Sequence, residues 1–141
     1  MEVIESFGED DTYRLGERIG REAKAGDVYL LDGDLGVGKT VFAKGVAAGL
    51  DIDEPVTSPT FTIVHEYEGR LKLYHFDVYR IGDPDEMWDI GFDEYLYGDG
   101  VCLIEWPENV EELIPGSAVR ITIEKDLSKG MDYRRLQIRT S

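Results

Sequence analysis

One short segment constrains this chain more than any other, the stretch that begins at Gly33 and ends at Thr40. It fills every fixed position of the pattern G-x-x-x-x-G-K-T, as Gly33-Asp34-Leu35-Gly36-Val37-Gly38-Lys39-Thr40. A hydrophobic run at 28–31 leads into it, and a run with helical spacing at 41–50 leads out of it. A strand, a glycine-rich loop and a helix in this order are typical of a phosphate-binding P-loop. The sequence therefore predicts a nucleotide site, and a glycine-rich turn without a ligand is the simpler alternative.

Each part of this segment has a physical role in such a site. Glycines let consecutive backbone N–H groups turn toward a phosphate chain without clashes of Cβ atoms. The helix that begins near Lys39 adds the positive end of its dipole. We expect Lys39 to reach the β- and γ-phosphates, and we expect the Thr40 hydroxyl to take one Mg²⁺ coordination position.

The chain of 141 residues fits a single domain, 1–141, that is long enough to bury a core. Its one cysteine, Cys102, lies in an apolar run and has no partner for an intramolecular disulfide, which suits a reducing cytoplasm. The first residues lack a basic segment followed by a long apolar one, and no apolar run approaches the length of a membrane span. We therefore expect a soluble, cytoplasmic protein.

The formal net charge is −15, from 30 acidic and 15 basic residues. This excess of acid opposes broad, direct binding to nucleic acid, which needs basic surface to neutralise phosphates. The stretch 81–119 has no Lys or Arg at all, although it is rich in Asp and Glu. It is either a solvated acidic face that maintains solubility or a docking surface for a basic partner.

The hydrophobic patterns on both sides of the P-loop predict an α/β fold. Asp10 or Asp11 is expected to cap the first helix, and Gly69-Arg70 separates two strands of a hairpin. The continuous apolar run 101–104 is typical of a strand buried on both faces. The predicted helices cover about 10–24, 41–50, 83–90, 92–97 and 107–114, and the predicted strands cover 2–6, 27–32, 61–68, 71–79, 101–104, 118–124 and 133–140. The prediction is a single P-loop NTPase-like domain, a mixed sheet with a parallel core flanked by helices.

Two further stretches have residue types that belong beside a bound nucleotide. Thr60 follows Ser58-Pro59, where P-loop switch proteins hold a segment ordered by the γ-phosphate and Mg²⁺, although an ordinary Ser-Pro turn has the same pattern. Asp77 ends an alternating strand that also places His75 and Tyr79 on the same face. An Asp in this position binds Mg²⁺ or orients an attacking water, and the simpler alternative is a surface pair with the neighbouring arginine.

The third stretch is Ile104-Glu105-Trp106-Pro107-Glu108. Glu105 ends an apolar strand, where a buried carboxylate is costly unless a cation or hydrogen-bond donors compensate it. A nearby Mg²⁺ would satisfy it, and Trp106 adds a large apolar surface at the same edge. The alternative is a solvated Glu105 beside a tryptophan that fills the core.

These motifs occur in one order: GDLGVGKT, SPTF, HFDVYR and IEWPE. Together they resemble the TsaE family, the bacterial ATPases of tRNA threonylcarbamoyladenosine biosynthesis, over nearly the whole chain. The resemblance implies a small P-loop α/β domain that binds ATP with Mg²⁺ and hydrolyses it slowly when alone. It also implies a two-subunit partner complex that transfers a threonylcarbamoyl group to adenosine 37 of tRNAs reading ANN codons. We therefore expect tRNA to be met only through the partner proteins.

The resemblance also implies roles for individual residues. The metal of the family is held by the P-loop threonine and by the glutamate of the EW motif, which correspond to Thr40 and Glu105. Its strand-end aspartate corresponds to Asp77, and its switch-like threonine corresponds to Thr60. The candidate catalytic residues are thus Asp77, Lys39 and Thr60.

The candidate nucleotide-binding residues are the loop 33–40 together with Thr12 in the first predicted helix. Trp106 is the motif tryptophan, and beside the acidic stretch it is a candidate for docking of the partner proteins. Two other functions share the same P-loop: a small-molecule kinase, and a nucleotide-sensing module that does not hydrolyse. Against a kinase, no segment is long enough for a phosphate-acceptor domain, and no arginine-rich lid is present in the sequence.

Overall fold

The computed structural model of the protein describes residues 1–34, 36–59 and 62–140. The predicted site residues Leu35 and Thr60 lie outside these ranges. The strands are β1 (Glu2–Ser6), β2 (Val28–Asp32), β3 (Val64–Tyr67), β4 (Leu73–Asp77), β5 (Val101–Glu105), β6 (Val119–Lys125) and β7 (Arg134–Arg139). The α-helices are α1 (Glu9–Glu22), α2 (Lys39–Gly49) and α3 (Phe92–Leu96), and 3₁₀ helices cover Pro84–Ile90, Pro107–Leu113 and Leu127–Lys129.

The strands of the described residues form one seven-stranded sheet in the order β1-β7-β6-β2-β5-β4-β3. β2 pairs in parallel with both β5 and β6, and β4 pairs in parallel with β5. Antiparallel pairs add β7 and β1 at one side and β3 at the other. This arrangement confirms the predicted fold class, a mixed sheet with a parallel core. No helix in the described part of the chain has the length and apolar character needed to cross a membrane.

The predicted elements are all present, and their boundaries differ by a few residues. α1 begins at Glu9 instead of Asp10 or Asp11, and the Asp11 carboxylate accepts the Phe7 backbone N–H at 2.9 Å from inside the helix. α2 begins at Lys39, as the P-loop motif predicted, and a left-handed Gly38 precedes it. The strands of the predicted hairpin are shorter than expected, since β3 begins at Val64 and β4 ends at Asp77.

The sheet separates two hydrophobic clusters, one on each face. One cluster packs Leu31 and Leu103 against α1 and α2, and the other packs Leu30 and Ile104 against α3 and the first two 3₁₀ helices. Every residue of β5 is buried, Cys102 included, which confirms the prediction of a strand covered on both faces. Because side chains alternate along a strand, the position of each residue in β5 decides which helical layer it meets.

Glycines let α1 and α2 pack with their backbones in contact. A Cβ atom built on Gly45 would lie 2.2 Å from the Tyr13 carbonyl oxygen, and one built on Gly16 would lie 2.3 Å from the Phe42 carbonyl oxygen. Gly20 and Gly49 show the same close approach one turn further along each helix. No side chain larger than hydrogen fits at these positions without separating the two helices.

We expect Gly45→Ala to destabilise the protein, although alanine favours a helix interior over glycine by about 1 kcal/mol. The new methyl group meets backbone that cannot rotate away, and overpacking of this kind typically costs about 1–3 kcal/mol. The change should lower the melting temperature by several degrees. Gly116→Ala is the matched control, because nothing lies within 4 Å of the added Cβ there. Equal melting temperatures for the two variants would contradict the backbone-contact interpretation.

Candidate functional site

The predicted P-loop lies between β2 and α2, and its described glycines have the backbone geometry that the motif requires. Gly36 and Gly38 have φ of 80° and 105°, a left-handed region that other residues adopt at a steric cost. The first N–H groups of α2 have no acceptor within the helix and are therefore available to an anion. No side chain caps the start of α2, which leaves this end of the helix open.

A cavity of about 470 Å³ opens in front of this loop. Seven of the predicted site residues line it, so that the motifs separated along the chain meet at one place. Its other lining residues include Ser58, Tyr79 and Arg80. The predicted residues around the cavity are Gly36, Gly38, Lys39, Thr40, Asp77, Glu105 and Trp106.

Parallel strand pairing explains why the two acidic residues reach the cavity. Asp77 of β4 is the register partner of Glu105 in β5, and Glu105 is in turn the register partner of Leu31 in β2. The carboxyl ends of parallel strands meet at the same edge of a sheet, and ligands of open α/β sheets bind there. The phosphate loop starts from that edge, only a few residues after Leu31.

Lys39 is buried and has two contacts that fix its ammonium group. Nζ donates to the Gly33 carbonyl oxygen at 2.7 Å and lies 3.6 Å from the centroid of the Trp106 ring. Burial lowers the pKa of Lys39, and the carboxylates of Glu105 and Asp77 oppose this shift. A phosphate group at the loop would favour the charged form in the same way as these carboxylates.

Trp106 directly follows β5 in a left-handed conformation, with φ of 61° and ψ of 47°. This conformation is uncommon for residues other than glycine, and it turns the chain sharply at the edge of the cavity. The ring is half-buried, and its centroid lies 4.8 Å from that of Tyr79. Trp106 thus contributes both to the second hydrophobic cluster and to the cavity wall. Its role in partner docking stays a prediction.

Glu105 is only 4% exposed, so it is not the solvated carboxylate of the simpler alternative. Its Oε2 accepts a hydrogen bond of 2.6 Å from Nε2 of His75, which is itself buried. Asp77 is less enclosed. Its Oδ1 accepts the Tyr79 backbone N–H at 3.0 Å, and its Oδ2 accepts the Ser58 hydroxyl at 3.4 Å.

A smaller cavity of about 110 Å³ also borders the loop. Thr12 of α1 lines it together with Gly36 and Gly38 of the P-loop, so α1 lies beside this loop. The Thr12 hydroxyl is buried and lies 2.8 Å from the Ser6 hydroxyl. Arg134 of β7 also lines this cavity and donates from Nε to the Val37 carbonyl oxygen at 2.9 Å.

Three of the described loop residues that were predicted, Gly33, Asp34 and Val37, do not line the main cavity. They border a separate cavity of about 530 Å³ beside Thr122 and Lys125 of β6. Gly33 still contributes to the site, since its carbonyl oxygen holds the ammonium group of Lys39. Asp34 is exposed.

The oxygen-bearing side chains of the main cavity suit Mg²⁺. Thr40, Asp77 and Glu105 all line the same space. In the described ranges, no group of three or more His, Cys, Asp or Glu side chains is arranged to hold a metal ion. Mg²⁺ usually binds through one or two carboxylates, with phosphate oxygens and waters completing an octahedron. The donor set therefore fits a magnesium ion that arrives with a nucleotide better than a metal centre made of protein ligands alone.

Sequence patterns did not point to Arg134 or to the bond between His75 and Glu105. Arg134 is one of several arginines in a basic carboxyl-terminal segment, and nothing in its spacing relates it to a loop about 100 residues earlier. His75 was placed on the same strand face as Asp77, but its partner lies on β5. A histidine at a buried strand position is the one available signal, because such a position normally holds an apolar residue.

The family described as "Threonylcarbamoyl adenosine biosynthesis protein TsaE" matches residues 7–135 of this chain. The chain belongs to the TsaE family. It is 50% identical over 113 residues to the tRNA threonylcarbamoyladenosine biosynthesis protein TsaE of Treponema pallidum, with 80% of this chain and 84% of the relative covered. It is also 50% identical over 117 residues to the protein of the same name from Bacillus subtilis, with 82% of this chain and 73% of the relative covered.

A solved structure agrees with this assignment to TsaE. The crystal structure of YdiB from Bacillus subtilis matches with a TM-score of 0.85 and 39% sequence identity. The match covers 99% of this chain and 84% of that chain. The resemblance to TsaE that the four motifs indicated is therefore confirmed across the fold.

The bond from Arg134 to the Val37 carbonyl leads to a test of loop order. A hydrogen bond to a charged group contributes about 1.5–3 kcal/mol, so its loss should ease local opening of the loop. We expect Arg134→Leu to raise the amide hydrogen exchange rate of residues 36–40 by roughly tenfold. The control is Arg139→Leu, which removes an exposed arginine from the same strand. Unchanged exchange in Arg134→Leu would show that the loop does not depend on this bond.

Proposed function

We propose that this chain is a magnesium-dependent ATPase that works with protein partners in tRNA threonylcarbamoyladenosine biosynthesis. The observation that carries the proposal is the meeting of the phosphate loop, Lys39, Asp77 and Glu105 around one cavity. Membership of the TsaE family, whose relatives have this biosynthesis in their names, supports the pathway. Hydrolysis of ATP, the metal and the partner complex are parts of the proposal.

The residues around the cavity divide the chemistry between them. The backbone N–H groups of the loop and the Lys39 ammonium bind the phosphate chain and stabilise the charge that develops on transfer of the γ-phosphoryl group. Thr40 and Glu105 would hold Mg²⁺, which would supply positive charge to stabilise the phosphates during transfer. Asp77 orients the attacking water or accepts its proton, because its carboxylate lines the cavity and is partly open to solvent.

The smaller cavity beside Thr12 is the place for the rest of the nucleotide. It adjoins the same glycines of the loop, Gly36 and Gly38, and Glu9 and Asp132 also line it. A nucleotide with its phosphates at Lys39 therefore has space to extend toward Thr12 and Arg134. Thr12 supplies a hydroxyl and Arg134 supplies a guanidinium at this cavity.

The partners in this proposal are the two-subunit transferase complex, and tRNA is met only through them. A net charge of −15 disfavours direct contact with phosphates over a broad surface. The acidic stretch 81–119 surrounds Trp106 in sequence, and we keep the prediction that this edge docks the partner complex. The ring of Trp106 is half-buried and contacts the Lys39 ammonium group. Because this contact would change when Lys39 binds a phosphate, the ring suits a docking residue that responds to the nucleotide.

Lys39→Ala provides the first test of this function. It removes the buried charge that faces the phosphates, so ATP hydrolysis should fall by about 100-fold or more. The control is Lys44→Ala, which removes an exposed lysine of the same helix and should leave hydrolysis unchanged. Phosphate release from ATP is the measurement, with and without the partner proteins. An unchanged rate in a folded Lys39→Ala protein would remove the ATPase assignment, and transfer of phosphate to an added acceptor would indicate a kinase.

Asp77→Asn tests the catalytic role of the strand-end carboxylate. If the Asp77 carboxylate orients the attacking water, its loss should lower the turnover rate by about 100-fold or more, with little effect on nucleotide affinity. A metal ligand would instead lose affinity for the magnesium–nucleotide complex as well. Turnover should be measured with the partners present, and binding by titration of a fluorescent nucleotide. Unchanged turnover would exclude both roles.

A further inference from the structure

His75 and Glu105 form a buried pair, of which the proposed chemistry uses only the glutamate. His75 is 1% exposed and Glu105 is 4% exposed, and 2.6 Å separates Nε2 of the histidine from Oε2 of the glutamate. The two residues lie on neighbouring strands, β4 and β5, and both point to the face covered by α1 and α2. His75 is the register partner of Leu103, two residues before Glu105, which explains how its ring reaches the carboxylate.

The bond occupies one carboxylate oxygen and leaves the other. A carboxylate oxygen is an acceptor, so Nε2 of His75 donates to Oε2. Within the described residues, no hydrogen bond is made to Oε1 of Glu105, although the residue lines the main cavity. The carboxylate is therefore held from the core side, with its second oxygen left to the cavity.

Packing alone does not explain why a histidine occupies position 75. Its neighbours in the same cluster are apolar, and Leu73 occupies the preceding position on the same face of β4. Its Nδ1 is buried and makes no hydrogen bond to any described residue. An orphaned polar atom of this kind is costly, and a leucine would avoid the cost. What the histidine adds is the single bond from Nε2 to Glu105.

We propose that His75 is a positioning residue for the magnesium ligand Glu105. By fixing Oε2 it sets the direction in which Oε1 faces the cavity, and so sets the geometry available to the metal. Carboxylates that bind metal ions are themselves commonly held by hydrogen bonds, and loss of such a partner typically weakens metal binding about 10–100-fold. The proposal rests on the proposed function, since it requires that Glu105 binds Mg²⁺.

The test compares three variants of the full chain at position 75. His75→Leu removes the donor and keeps an apolar side chain of similar size, whereas His75→Gln places an amide N–H near the position of the imidazole Nε2. His75→Asn carries the same amide on a shorter side chain that cannot reach Glu105. Binding of a fluorescent ADP analogue is measured against Mg²⁺ concentration, and again in EDTA, with the melting temperature of each apo protein.

We expect His75→Leu and His75→Asn to raise the half-saturating Mg²⁺ concentration about 10–100-fold. His75→Gln should restore it to within a few-fold of the unmutated protein. Binding of the ADP analogue in EDTA should be the same in all of them, which also shows that each variant is folded. If His75→Leu does not fold, the comparison of His75→Gln with His75→Asn decides the question, because the two differ only in reach.

Glu105→Gln separates failure of this inference from failure of the function on which it rests. If Glu105→Gln leaves the Mg²⁺ dependence unchanged, Glu105 is not a metal ligand, and the metal assignment fails together with the positioning role. If Glu105→Gln weakens Mg²⁺ binding but His75→Leu does not, only the positioning role is overturned. In the double variant, His75→Leu should add nothing to the effect of Glu105→Gln. A further loss there, or a lowered melting temperature without any change in Mg²⁺ dependence, would indicate a purely structural histidine.

Discussion

The parallel pairing of β2, β5 and β4 is the constraint on which the site depends. Strands that run in the same direction bring their carboxyl ends to one edge, so the loop after β2, Glu105 at the end of β5 and Asp77 at the end of β4 become neighbours. The antiparallel strands at both sides extend the sheet, and Arg134 of β7 reaches the loop. A change of register by one residue in β5 would turn Glu105 away from α2 and the phosphate loop.

Electrostatics then determines the character of this edge. Lys39 is buried between a carbonyl oxygen, an aromatic ring and two carboxylates, which together hold a charge that burial disfavours. Glu105 is equally buried and relies on His75. Charges enclosed to this degree are costly unless each has a partner. In the proposed function, a magnesium–nucleotide complex would bring both an anion for Lys39 and a cation for Glu105, and would complete an arrangement that the protein alone satisfies only in part.

Close packing of α1 against α2 explains why Thr12 lies at the P-loop. Because glycines bring the backbones of α1 and α2 into contact, Thr12 comes close to the P-loop. The first two 3₁₀ helices and α3 cover the opposite face of β5, and they belong to the acidic stretch 81–119. Trp106 contacts this layer and also lines the cavity.

The sequence alone determined the fold class, the P-loop and the identity of Lys39, Thr40, Asp77 and Glu105 as candidates. These features are local: a motif, a strand period and an apolar run each lie within a few residues of one another. The partner of Glu105, the role of Arg134 and the close contact at Gly16 and Gly45 were decided only by the tertiary structure. They depend on residues that are distant in sequence and meet through strand register and helix packing. Strand boundaries belong to the same class, since β3 begins only at Val64 and β4 ends at Asp77, inside the ranges that the hydrophobic pattern predicted.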